Sequence, residues 1–124
     1  MGYNVCKRGE RMPVQRNECP AEIVLSILSG RWKIPIYRYL YNNEKPIRYS
    51  ELLRHLPSIS KKMLTEQLRE LECDGIIERE SYPEPRPRVE YTLTLSGRSM
   101  IVFLDQMSDW GEKNILPKIK EIRQ

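Results

Sequence analysis

Apolar residues along the chain change their period twice, and the changes divide it into elements. Behind Cys19-Pro20, the residues Ile23, Val24, Ile27 and Leu28 recur at helical spacing. Proline suits a first helical turn, where its missing N–H has no intrahelical partner to serve, and Gly30 marks that helix's end. A second helix is predicted from about Trp32 to Tyr41, with Ile36, Tyr37 and Leu40 on one side and Pro35 near its start. After Asn42-Asn43 a short helix from about Tyr49 turns Leu52, Leu53 and Leu56 inward, and Pro57-Ser58 breaks it. Ser60 is a favourable N-cap for a helix carrying Leu64, Leu68 and Leu71, which fall within about 60° of arc on a helical wheel. Asp74-Gly75 stops it, with Gly75 just past the end.

The period then becomes two. Val89, Tyr91 and Leu93 point to one face, and Glu90, Thr92 and Thr94 to the other. Ile76 to Tyr82 reads as the partner strand. The intervening Pro83-Glu84-Pro85-Arg86-Pro87-Arg88 lacks the N–H donors of a regular ladder, so it forms the exposed tip of a hairpin. From about Leu95 the helical period returns in one long helix with Met100, Phe103, Leu104, Met107 and Trp110. Asn114 is placed to cap a last helix holding Ile115, Leu116, Ile119 and Ile122, with Pro117 in its first turn.

A short helix, a tight turn and a second amphipathic helix make a helix-turn-helix, and a basic-tipped ribbon follows at once. The expected fold class is α+β and mostly helical: a winged helix-turn-helix with a two-stranded β wing and flanking N- and C-terminal helices. Residues 19–124 are expected to form this single domain, behind a polar, flexible arm at residues 1–18. The length of 124 residues suits one compact core. No internal repeat or low-complexity linker interrupts it.

Composition changes the picture little. Hydrophobic residues at 40% and charged residues at 31% describe a globular chain. No apolar run is long enough to span a bilayer and no secretory leader opens the chain, so a soluble, cytoplasmic protein is expected. Cys6, Cys19 and Cys73 are odd in number and far apart, which is no disulfide framework. With His55 the single histidine, neither a metal site nor a cofactor is expected. The net charge of +4 favours polyanions only weakly. Its excess sits in residues 1–19, 31–47 and the C-terminal tail, while from Arg48 to Arg88 eight Lys/Arg balance eight Asp/Glu.

The case for DNA therefore rests on where charges project. On the second helix of the motif, Lys62, Thr65, Glu66 and Arg69 lie opposite the leucine stripe. Lys61 and Lys62 occupy its first turn, where the helix dipole disfavours cations and where a recognition helix enters the groove most deeply. Phosphate or guanine contact would account for them; a merely solvated surface is the competing reading, and the basic wing favours contact. Arg86 and Arg88 alternate with prolines that hold the tip extended, ready for phosphates or a narrow minor groove. Arg48 is either a phosphate contact near a helix N-terminus or a plain surface charge.

The order of Cys19-Pro20, Gly30-Arg31-Trp32-Lys33, Arg48-Tyr49-Ser50-Glu51-Leu52 and Ile59-Ser60-Lys61-Lys62-Met63-Leu64-Thr65 is specific. It continues through Gln67-Leu68-Arg69-Glu70-Leu71, Asp74-Gly75, Val89-Glu90-Tyr91-Thr92-Leu93-Thr94 and Gly97 to Asp109-Trp110-Gly111. Over residues 19–113 the sequence resembles the HxlR-type winged-helix regulators, relatives of the MarR class. The resemblance implies a sequence-specific transcriptional regulator that binds double-stranded DNA at a pseudo-palindromic operator as a homodimer. Its DNA contacts would come from Arg48, Ser60, Lys61, Lys62, Thr65, Glu66, Arg69, Arg86 and Arg88. Dimer contacts would come from the first and last helices: Ile23, Ile27, Trp110, Ile115, Leu116, Ile119 and Ile122. The last four form an apolar face that a monomer struggles to cover, unless it folds back on its own core.

Some members of that family sense electrophiles or oxidants through a cysteine at the position of Cys19, which makes Cys19 a candidate redox sensor. The helix dipole would favour its thiolate, Glu18 and Glu22 oppose it, and a small capping or buried residue is the alternative. Cys73 reads as a packing residue, and Cys6, in the arm, is a candidate exposed resolving thiol that nothing in the sequence pairs with Cys19. Trp32, Tyr37, Met107 and Trp110 are either core or the lining of a small aromatic pocket. The single histidine and the lack of a Gly-rich phosphate loop leave no catalytic set, so no enzyme is expected. A winged-helix protein-interaction module without specific DNA binding is the main rival; RNA binding lacks an RNP-type strand or GXXG loop.

Overall fold

The computed structural model describes residues 19–123; the segment 1–18, expected as a flexible arm, lies outside them, as does the side chain of Ile122. Helices α1 (Pro20–Leu28) and α2 (Lys33–Asn42) lead into strand β1 (Ile47–Arg48), α3 (Tyr49–His55) and α4 (Lys61–Cys73). The hairpin β2 (Ile77–Tyr82) and β3 (Arg88–Leu93) follows, then α5 (Leu95–Ser99), α6 (Ile101–Asn114) and α7 (Leu116–Arg123).

The helix ends follow from local chemistry. Pro20 opens α1, and the Glu22 carboxylate accepts from the Cys19 backbone N–H at 3.4 Å. Ser60 caps α4 by accepting from Met63 N–H at 3.0 Å. At the other end of α4, Gly75 takes φ +80°, the Ile76 N–H reaches the Leu71 carbonyl, and the Gly75 N–H reaches that of Glu72. These two bonds make a Schellman cap, which needs the left-handed conformation that glycine adopts without strain.

The wing hairpin is present as expected, but a third strand that sequence reasoning missed extends it. β1 pairs antiparallel with β3, giving the order β1-β3-β2. Two residues beside a proline carry too little periodicity to announce a strand. The core lies between this sheet and the helices: Ile36, Tyr37, Ile47, Leu52, Leu64 and Leu71 are wholly buried. Lys33 is buried too, with its ammonium paired to Glu70 across the α2–α4 contact.

The expected long C-terminal helix is broken at Met100 into α5 and α6. The break coincides with the Gly97 carbonyl, which accepts the buried Tyr37 hydroxyl at 2.6 Å and the Met100 N–H at 3.2 Å. Burial raises the Tyr37 pKa, so the hydroxyl stays a donor. Asn114 does not cap the last helix; it closes α6, and its side-chain amide donates to the Trp110 carbonyl at 3.0 Å. Pro117 does fall in the first turn of α7. The aromatic set also divides: Tyr37 is core, Trp32 packs against the core, and Met107 and Trp110 are exposed.

Gly97 is held against the chain leaving α4. A Cβ there would stand 2.2 Å from the Ile76 carbonyl oxygen, a backbone atom that cannot swing aside. Gly97→Ala is expected to destabilise the fold by about 1–3 kcal/mol, in the range of overpacked cores. Thermal unfolding followed by circular dichroism measures it, and an unchanged midpoint would refute the close approach.

Candidate nucleic-acid interface

The α3–turn–α4 unit is fixed by a few polar ties. Ser58 turns the chain with φ +72°. The Tyr49 hydroxyl at the start of α3 sits 3.1 Å from the Lys61 carbonyl, to which it donates, and 3.0 Å from the Thr65 hydroxyl, so it fastens α3 to the first turns of α4. The Tyr39 hydroxyl of α2 donates to Glu51 at 2.6 Å; that bond holds the Glu51 carboxyl below the usual carboxylate range and raises the phenol.

Leu64, Leu68 and Leu71 are buried as the wheel predicts, leaving Lys61, Lys62, Glu66 and Arg69 exposed. None of the three cations has a carboxylate partner among the described residues. Thr65 is half-buried and tied to Tyr49, and the Ser60 oxygen is engaged in the cap.

Across from this face stands the wing. Register places Ile77 opposite Leu93, Arg79 opposite Tyr91 and Ser81 opposite Val89 on the inner side; Glu78 and Glu80 alternate to the outer side, with Glu80 opposite Glu90. Between α3, α4 and the wing lies a cleft of about 640 Å³, lined among others by Arg48, Tyr49, Arg69, Glu72, Arg79 and Tyr91. Burial raises the Tyr91 pKa, against the nearby Arg79 guanidinium, which lowers it.

The structure thus gathers Arg48, Thr65, Arg69 and Arg88 around one cleft, with Lys61 and Lys62 on the exposed first turn of the same helix. Arg86 is exposed on the tip. Sequence reasoning missed Arg79, Tyr49 and Tyr91. The signal for Arg79 was available: it is two residues from Ile77, so strand alternation puts it on the inner face.

Arg88 departs from the expected free wing-tip cation. It belongs to β3, and its guanidinium bonds Glu84 at 2.5 Å and Glu90 at 3.1 Å over the Tyr82 ring. Burial works against its charge, and the two carboxylates more than restore it.

The residues expected at a dimer interface are spread over α1, α6 and α7. Trp110 is 60% exposed, Leu116 44% and Ile115 39%, while Ile23, Ile27 and Ile119 are half-buried. Ile27 leans on the monomer's own core. Leu25, Val102 and Met107 add further exposed apolar surface. Cys19 is a free, exposed thiol. Cys73, expected as a packing residue, is disulfide-bonded, and Cys6 lies outside the described residues.

A family model described as HxlR-like helix-turn-helix matches residues 27–119. The chain belongs to that family. Among relatives, the HTH-type transcriptional regulator YybR of Bacillus subtilis (strain 168) is 45% identical over 96 residues, covering 77% of this chain and 75% of that protein. Among solved structures, the oxidized form of the redox regulator HypR shares 44% identity at a TM-score of 0.66, covering 77% of this chain and 97% of that one. The reduced form of the B. subtilis transcriptional regulator YodB shares 37% at a TM-score of 0.72, covering 81% and 97%. This HxlR-like chain is accordingly a winged helix-turn-helix transcriptional regulator, a DNA-binding class of protein.

The two wing arginines are not equivalent. Arg86→Ala is expected to lower the salt dependence of DNA binding by about 0.9 for each phosphate that a subunit no longer neutralises. Arg88→Ala, which removes a guanidinium already held by two carboxylates, should leave that slope nearly unchanged. Binding titrations at several salt concentrations test the difference; equal slopes for the two variants would contradict it.

Proposed function

We propose that this regulator binds a pseudo-palindromic operator as a homodimer, laying α4 in the major groove and the wing on the adjacent backbone or minor groove. One observation carries the reading: α4 presents Lys61 and Lys62 in its first turn and Arg69 two turns further on to solvent, without carboxylate partners among the described residues, and Arg69 lines the cleft beside the wing. A twofold pair would set two such helices about one DNA turn apart. The exposed Trp110, Ile115 and Leu116, with Ile119 and Ile122 further along α7, are the surface such a pair would bury; Ile23 and Ile27 of α1 would join them. A DNA-binding role would be exercised in the cytoplasm, with residues 19–124 as one domain behind the arm at 1–18.

Lys62→Ala and Arg69→Ala are each expected to cost about 1–3 kcal/mol of operator binding. Recovering bound genomic fragments supplies the operator, and its symmetry reports the dimer; an asymmetric site would count against the twofold arrangement. Intact operator affinity in both variants would reject the recognition-helix assignment. No salt-dependent DNA binding at all would favour a protein-interaction module.

A second reading concerns regulation. We propose Cys19 as the redox sensor, because it is a free thiol exposed at a helix start and because the similar protein HypR is a redox regulator. Cys19→Ser should abolish any oxidant effect on DNA affinity. A mutant that responds like wild type would exclude Cys19.

A further inference from the structure

Arg79 occupies an unusual place. Strand alternation turns it to the inner face of the wing, in the same row as Ile47 of β1 and Tyr91 of β3. Its neighbour in that register, Ile77, is 2% exposed and part of the core. An apolar residue would serve packing there. A guanidinium in that row is explained by what it faces, and it faces the cleft.

The cleft wall is strongly biased in charge. Arg48, Arg69 and Arg79 line it, and none of them has a carboxylate within ion-pair distance among the described residues. Arg88 lines it too, but is held by Glu84 and Glu90. Glu72 is the one acidic residue of the lining. Tyr91 lines the same wall as Arg79, and a guanidinium offers five N–H donors to a ligand. The Glu78 and Glu80 side chains alternate to the opposite face of the wing, so they do not neutralise the pocket.

Resting on the DNA-binding reading above, we infer that this cleft seats a phosphate of the DNA backbone, with Arg79 as a ligand beside Arg48 and Arg69. When α4 lies in a major groove and the wing meets the neighbouring minor groove, what separates the two is one sugar-phosphate strand. That strand has to cross the gap between α4 and the wing, which is the cleft. The recognition helix and the wing then close on the backbone from two sides. Arg79 contributes affinity and register without reading sequence, because a phosphate is the same at every step.

The full-length protein, titrated with operator duplex and with a random duplex between about 50 and 200 mM salt, tests this. Arg79→Ala is expected to weaken both duplexes alike. The slope of log affinity against log salt should fall by about 0.9 per subunit, hence about 1.8 for a dimer. Arg79→Lys should keep most of the slope, since a point charge still neutralises a phosphate. Arg79→Gln keeps much of the side-chain length and an N–H donor but removes the charge, so it should match Arg79→Ala even if the alanine variant melts earlier. An unchanged slope in Arg79→Gln overturns the inference, as does a loss confined to the operator duplex, which would make Arg79 a base reader. If Lys62→Ala weakens operator binding while Arg79→Gln does nothing, the cleft assignment alone falls. If neither has any effect, the DNA reading falls with it.

Discussion

Tyr37 of α2 is sealed from solvent, and a hydroxyl taken out of water must find a partner or cost the fold a few kcal/mol. It finds the carbonyl of Gly97, 60 residues later in the chain. That bond sits where the expected long helix divides into α5 and α6, so it sets the direction in which α6 leaves the domain. Other side chains of α2 do the same elsewhere. Lys33 holds Glu70 of α4, Tyr39 holds Glu51 of α3, and Arg38 bonds Asp105 at 2.9 Å and Ser108 at 3.0 Å on α6. With Ile36 and Leu40 buried beside them, α2 is the strut from which four other helices take their positions.

This arrangement connects the two halves of the proposed function. The recognition helix is fastened to one side of α2 and the helix bearing Trp110 to another. In a dimer, a change in how α6 and α7 pair would be transmitted through a short, well-packed element to the spacing of the two recognition helices, because packed cores shift between discrete arrangements rather than deforming smoothly.

Charge in the motif shows why counting fails where placement succeeds. Eight cations and eight anions between Arg48 and Arg88 cancel on paper. In the fold, Glu51 and Glu70 are held by α2, Glu84 is bound to Arg88, and Glu78 and Glu80 face away from the cleft. Arg48, Arg69 and Arg79 converge on the cleft. At ordinary ionic strength, screening acts over roughly 8–10 Å, so a phosphate in the cleft would sense the local arginines and not the neutral total.

Much of the architecture was legible in the sequence because it is written in short-range rules. The leucine stripe of α4, the serine cap, the glycine at the Schellman turn and the period of two in β3 each depend on neighbours a few residues apart, and each appears where expected. The faces of α4 followed as well, and with them Lys61, Lys62, Glu66 and Arg69. What the sequence left undecided depends on residues far apart in the chain. β1 exists because Ile47 meets Tyr91; the break before α6 falls where Gly97 meets Tyr37; Lys33 is buried because Glu70 reaches it. Arg88 looked like a free wing-tip cation until Glu84 and Glu90 closed on it. Arg79 carried a register signal, but only the packing of the wing against α4 created the cleft that gives its position a purpose. Local periodicity fixes which elements form and which way they face; the pairing of distant hydroxyls, carbonyls and charges fixes how they meet, and the functional surface is made by that meeting.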